Sequence, residues 1–123
     1  MDDPVTIARF DDLPWEEPSD DAKRERGLRG KRPVWGEAGF YVQHVSMPPG
    51  YDVAPHRHDR DEIFLVLEGS CTLDDGRNLR PNDAAVLHAG HAYGFTVDAE
   101  PFRFLVVRAG EATNERVDTE GRA

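Results

Sequence analysis

The sequence predicts an all-β protein, a sandwich or closed barrel of about eight short strands, on three observations. From Val34 onward, short runs rich in β-branched and aromatic residues follow one another closely: FYVQHVSM, YDVAPHRH, EIFLVLEG, SCTLDD, RNLR, DAAVLHAG, YGFTVD and FRFLVVR. Turn residues separate them at Pro48-Pro49-Gly50, Asp75-Gly76, Pro81-Asn82-Asp83 and Ala99-Glu100-Pro101. No segment carries an apolar stripe of helical period over three turns, and strands at this spacing close into sandwiches or barrels.

The N-terminal segment, residues 1–33, is expected to be an irregular charged arm. Residues 1–22 hold eight acids and one base, Arg9, whereas residues 23–32 hold six bases and one acid, so the two blocks are placed to pair. Pro4, Pro14 and Pro18 interrupt it, and Leu13 and Trp15 are the apolar residues available to pin it to the body. Residues 34–110 are the barrel. Asp75-Gly76 predicts a two-residue hairpin, because both central positions of a type I′ turn need positive φ. The polar stretch 111–123, ending TNERVDTEGRA, is expected to fray.

Composition excludes several classes of function. A net charge of −9 in 123 residues repels phosphate backbones and anionic headgroups, so neither nucleic acid nor a membrane surface is expected as a partner. The longest apolar run, Ile63 to Leu67, is too short to span a bilayer. MDDPVTIARF shows no basic region followed by an apolar one, and a soluble cytoplasmic protein is the expectation. The single cysteine, Cys71, forms no internal disulfide and lies among strand residues, where a small buried hydrophobe is expected.

The chemistry concentrates in HRHDRDE, residues 56–62. Side chains of a strand alternate faces, so His56 and His58 point the same way. An extended chain would carry Glu62 about 20 Å from His56, whereas all ligands of one metal sit about 2 Å from it. Convergence therefore needs a turn at Asp59-Arg60-Asp61. EIFLVLEG would then return antiparallel with Glu62, Phe64 and Val66 on the face of the histidines. Two imidazoles and a carboxylate inside an apolar barrel need a cation or dense hydrogen bonding to offset their desolvation.

Gly50, five residues, His56, one residue, His58, three residues, Glu62, six residues and Gly69 together resemble the first motif of the cupins at every defined position. The resemblance implies a jelly-roll β-barrel over about residues 34–108, one divalent transition metal (iron, manganese, nickel or zinc) on His56, His58 and Glu62, and a homodimer. The second motif is degenerate: its defined positions hold Asn82, His88, Gly90, Tyr93 and Val97, and only Gly90 matches. Asn82 tolerates the left-handed conformation that a turn needs.

Tyr93 stands where the family's last histidine ligand belongs, and three roles are open to it: phenolate ligand, neutral phenol beside an open site, or core aromatic. The second is preferred, since a phenol ligates well only when a cation lowers its pKa. His91 shares strand parity with Tyr93 and is a candidate for the barrel mouth; Tyr93 and His91 are the candidate general acids or bases. His88 and His44 are expected outside the site. Phe64, Val66, Phe95 and Phe104 are candidate cavity walls. The expected function is a metal-dependent enzyme of dioxygenase, lyase or isomerase type acting on a small oxygen-rich or partly apolar molecule; the alternative is a non-catalytic metal- or ligand-binding module.

Overall fold

A computed structural model describes residues 4–110 and 114–116. Two antiparallel five-stranded sheets face one another in a jelly-roll arrangement. The first has the order β1 (Arg29–Trp35), β2 (Phe40–Met47), β9 (Phe102–Ala109), β4 (Glu62–Glu68) and β7 (Ala84–Leu87). The second runs β10 (Asn114–Arg116), β3 (Asp52–His58), β8 (Tyr93–Val97), β5 (Cys71–Leu73) and β6 (Asn78–Leu79). The eight expected strands are β2 to β9. No helix is long and apolar enough to cross a membrane among the described residues.

The alternation of β4 and β9 shows how sequence becomes core. Glu62, Phe64 and Val66 are buried while Ile63 and Leu65 are exposed; Phe102, Phe104 and Val106 are buried while their neighbours are only partly so. Phe64 packs on Phe104 with ring centroids 4.7 Å apart and meets Phe95 of the opposite sheet at 6.1 Å. Each such ring removed from water contributes roughly 1.5–3 kcal/mol, and the tilted pairs add to that. Cys71 is fully buried in this core, and burial pushes its thiol up to about 12, so it packs as a hydrophobe.

Four local expectations need correction. The chain does return after His58, but β4 is not the hairpin partner of β3: residues 59–61 carry it into the other sheet, where β4 pairs with β7 and β9. The Asp75-Gly76 hairpin is present with a different turn. Gly76 alone has positive φ (+90°), Asp75 does not, and Leu73 N–H donates to Arg77 C=O across a three-residue loop. Asp75 instead accepts from the backbone N–H and Nε of Arg77. β1 begins at Arg29, ahead of the expected boundary; its pairing with β2 overrides a charged composition, and the register slips between Lys31 and Val34, where Pro33 lacks an N–H. In the tail, Asn114–Arg116 pair with β3 as β10, while residues 111–113 and 117–123 lie outside the described residues. Asn82 does adopt the left-handed conformation, at φ +72°.

The arm wraps the edge of the first sheet. Glu16 and Gly30 exchange backbone hydrogen bonds, and Asp20 caps the short helix α1 (Asp21–Glu25) by accepting from Lys23 N–H. The two charge blocks do meet, in an Arg24–Asp21 ion pair. Trp15 is the pin. Its ring lies 5.1 Å from His44 and receives Lys31 Nζ at 4.7 Å and Arg29 at 5.6 Å, while Lys31 Nζ donates to Phe10 C=O at 2.6 Å. His44, 1% exposed, therefore faces away from the barrel interior and is roofed by Phe10 and Trp15. Its Nε2 accepts from Arg103 Nε at 3.2 Å and its Nδ1 has no partner among the described residues.

Two measurements test this packing. Gly69 has φ +73°, and a Cβ there would stand 2.1 Å from the Pro101 carbonyl oxygen, whereas Gly50, at φ +78°, has open space. Gly69→Ala should cost roughly 2–5 kcal/mol in urea unfolding and Gly50→Ala only about 1–2 kcal/mol; equal losses would contradict the contact. Burial first, then Arg103 and Lys31, lower the His44 pKa from its ordinary 6.5. The folded state thus resists a proton that the unfolded chain accepts. Stability is full above about pH 6.5 and falls as pH drops below it, and His44→Gln should shrink that fall. An unchanged acid limb in the variant would remove His44 as a cause.

Candidate functional site

Glu62 sits at the head of β4, 3% exposed, with its carboxylate inside the barrel. Three other strands reach it. From β3, His58 brings Nε2 to 3.3 Å from Oε1; from β8, the Tyr93 hydroxyl donates to the same oxygen at 3.3 Å; from β9, Arg108 Nη1 donates to Oε2 at 3.1 Å. Tyr93 Oη also lies 3.2 Å from His58 Nε2, so these three atoms form a nearly equilateral triangle. His56 stands beside it, its ring 4.8 Å from that of His58 and 4.6 Å from that of Tyr93.

The protonation states follow from these contacts. His56 Nδ1 is 2.9 Å from the Ala54 carbonyl, which places the proton on Nδ1 and leaves Nε2 as the lone pair. Burial, the largest influence, lowers the His56 pKa and keeps the ring neutral. Burial, followed by the neighbouring Glu62 carboxylate, raises the Tyr93 pKa far above the ordinary range, so the residue is a phenol.

The donor set is chemically suited to a divalent transition ion. It combines two imidazoles with one carboxylate, and the Ala54 and Arg108 contacts are of the kind that orient metal ligands from behind. Ligand atoms about 2.1 Å from one ion are separated by about 3.0–3.4 Å, and the 3.3 Å between His58 Nε2 and Glu62 Oε1 matches that separation. As placed, no three His, Cys, Asp or Glu side chains among the described residues form a group closed enough to hold a metal.

The cavity beneath this cluster measures about 930 Å³, ample for a small organic molecule. Phe64, Phe95, Phe104 and Val106 give it apolar walls, and Gln43 and Arg108 add polar ones. Val66, expected as a wall, is buried in the core instead. Glu16 to Asp20, Lys23 and Arg26 of the arm complete the rim, with Arg26 Nη2 donating to Asp52 C=O and its guanidinium 4.1 Å from the Tyr51 ring centroid.

Of the expected site residues, His56, His58, Glu62 and Tyr93 come together. His91 does not join them. Gly90, at φ +78°, keeps the chain in a turn until Tyr93, so strand parity does not extend back to His91, which is exposed and outside the cavity lining. His88 is likewise exposed, its ring 6.5 Å from that of His91. Sequence reasoning missed Arg108 and the arm's place on the rim. Arg108 was detectable by period-2 alternation, which puts it on the face of Phe102, Phe104 and Val106.

A family model described as a cupin domain matches residues 43–108. Among solved structures, the polyketide cyclase RemF from Streptomyces resistomycificus is 22% identical, with a TM-score of 0.75 over 96% of this chain and 89% of that one. A sugar phosphate isomerase from Silicibacter pomeroyi is 24% identical, with a TM-score of 0.68 over 93% of this chain and 83% of that one. A structure of Rhodobacter sphaeroides SigE in complex with the anti-sigma ChrR has a chain 18% identical, with a TM-score of 0.65 over 81% of this chain and 51% of that one. No curated protein matches the chain.

Removing one member of a buried ion pair leaves the other charge uncompensated. Arg108→Met should therefore cost about 3–5 kcal/mol in urea unfolding, and adding Glu62→Gln should restore a good part of it. A double variant no more stable than Arg108→Met would refute the pairing energetics.

Proposed function

Since this chain belongs to the cupin superfamily, we propose that it is a small metal-binding cupin and an enzyme, acting on a small oxygen-rich, partly apolar molecule held in the barrel. The reading is carried by one observation: His58, Glu62 and Tyr93 converge within 3.2–3.3 Å of one another, with His56 alongside. His56, His58 and Glu62 would hold one divalent transition metal, iron, manganese, nickel or zinc. When bound, such an ion supplies Lewis acidity toward a carbonyl, carboxylate or enol oxygen.

The protein's own residues supply the rest. Tyr93 holds a proton at Oη, directed at Glu62 Oε1, and is the general acid for an oxygen that gains charge. Arg108 fixes the carboxylate from its other oxygen. Phe64, Phe95 and Phe104 exclude water and seat the apolar part of the substrate. Proton transfer next to a carbonyl is the chemistry of lyases and isomerases, and the structural neighbours with cyclase and isomerase activity favour that over a dioxygenase. A binding module without turnover is the second reading, favoured by the neighbour in the SigE–ChrR complex. A homodimer would form through the outer face of the first sheet, a reading supported by the exposed Ile63 and Val86, register partners beside Leu65.

Elemental analysis tests the site. Purified protein should carry about one transition metal per chain, and His56→Ala or His58→Ala should remove most of it. Tyr93→Phe should keep the metal and lower turnover of 2-oxo acids or diketones by about 10²–10⁴-fold. Full metal content in the double histidine variant would sink the assignment, and metal loss in Tyr93→Phe would make the tyrosine a ligand.

A further inference from the structure

We infer that Arg108 is a carboxylate clamp that makes the cavity selective for small monoanionic acids with an apolar body. The inference deepens the reading of the cavity as a small-molecule site and does not depend on the metal. The Arg108 side chain is only 10% exposed, yet among the described residues its one hydrogen bond is Nη1 to Glu62 Oε2. Nε is buried without a partner among the described residues. A guanidinium presents a fork of N–H donors shaped for a carboxylate, and leaving them unused in a buried place is costly.

The group is also flanked by aromatic rings, its carbon lying 5.5 Å from the Trp35 ring centroid and 5.7 Å from that of Tyr41. In a chain of net charge −9, long-range electrostatics disfavour anions, so selection for them must come from a buried cation at short range. Glu62 competes for the same guanidinium. The aromatic walls, Phe64 and Phe104 with ring centroids 4.7 Å apart, suit the apolar end of such an acid.

The test uses benzoate and its neutral isostere benzamide, titrated calorimetrically into the full chain stripped of metal and dialysed. Benzoate should bind about tenfold or more tightly than benzamide, the scale of one hydrogen bond to a charged group. Arg108→Gln should abolish the difference, Arg108→Lys should keep part of it, and Glu62→Gln should tighten benzoate without moving benzamide. A merely structural Arg108 would not produce that last result. Should Arg108→Gln not fold, Arg108→Lys and Glu62→Gln decide. Equal binding of the two probes to the wild type, or a preference that survives in Arg108→Gln, overturns the clamp alone. Binding of neither probe overturns it together with the ligand-cavity reading.

Discussion

A carboxylate 3% exposed inside an apolar barrel must be neutralised and hydrogen-bonded, and the way Glu62 meets that demand organises the site. Its two oxygens divide the barrel. Oε1 is met from the second sheet, by His58 of β3 and Tyr93 of β8, and Oε2 from its own sheet, by Arg108 of β9. The carboxylate thus bridges the mouth between the sheets. Replacing it alone with an apolar group of similar size would strand the Arg108 guanidinium and destabilise the barrel, so carboxylate and guanidinium stand or fall together.

The arm extends the same economy to the rim. Trp15 is fastened outside the barrel, on His44 and among three cations, and Glu16 then bridges to Gly30 on the edge strand. The next residues cross that edge and become cavity wall. Anchor and wall are consecutive in the chain but lie on opposite sides of a strand, so perturbing the outer contact is mechanically coupled to the shape of the cavity.

Much of this was legible from residue order, and the failures have physical causes. The spacing of His56, His58 and Glu62 was enough to bring them together, because alternation fixes faces and the short link forces a return. It was silent on which sheet the return joins: β3 and β4 face one another across the barrel, an outcome set by long-range pairing with β9. Parity failed for His91, because it holds only within a strand and the strand begins at Tyr93. Arg108 was readable as an inward residue, but not as the partner of Glu62, forty-six positions away in sequence. The arm's contribution depends on cation–π contacts and one backbone bridge, which leave no periodic trace.

β1 is instructive for another reason. RGKRPVW lies at the margin of its sheet, with only Glu16 and Gly30 paired on its outer side among the described residues. An unpaired strand margin is a template on which foreign chains add, the first step toward fibrous aggregation. Four cationic or imino-acid positions in seven residues, with the register slip they accompany, give an incoming strand charge repulsion and a missing donor. The composition that hides this strand from pattern reading is the composition that opposes strand addition at that margin.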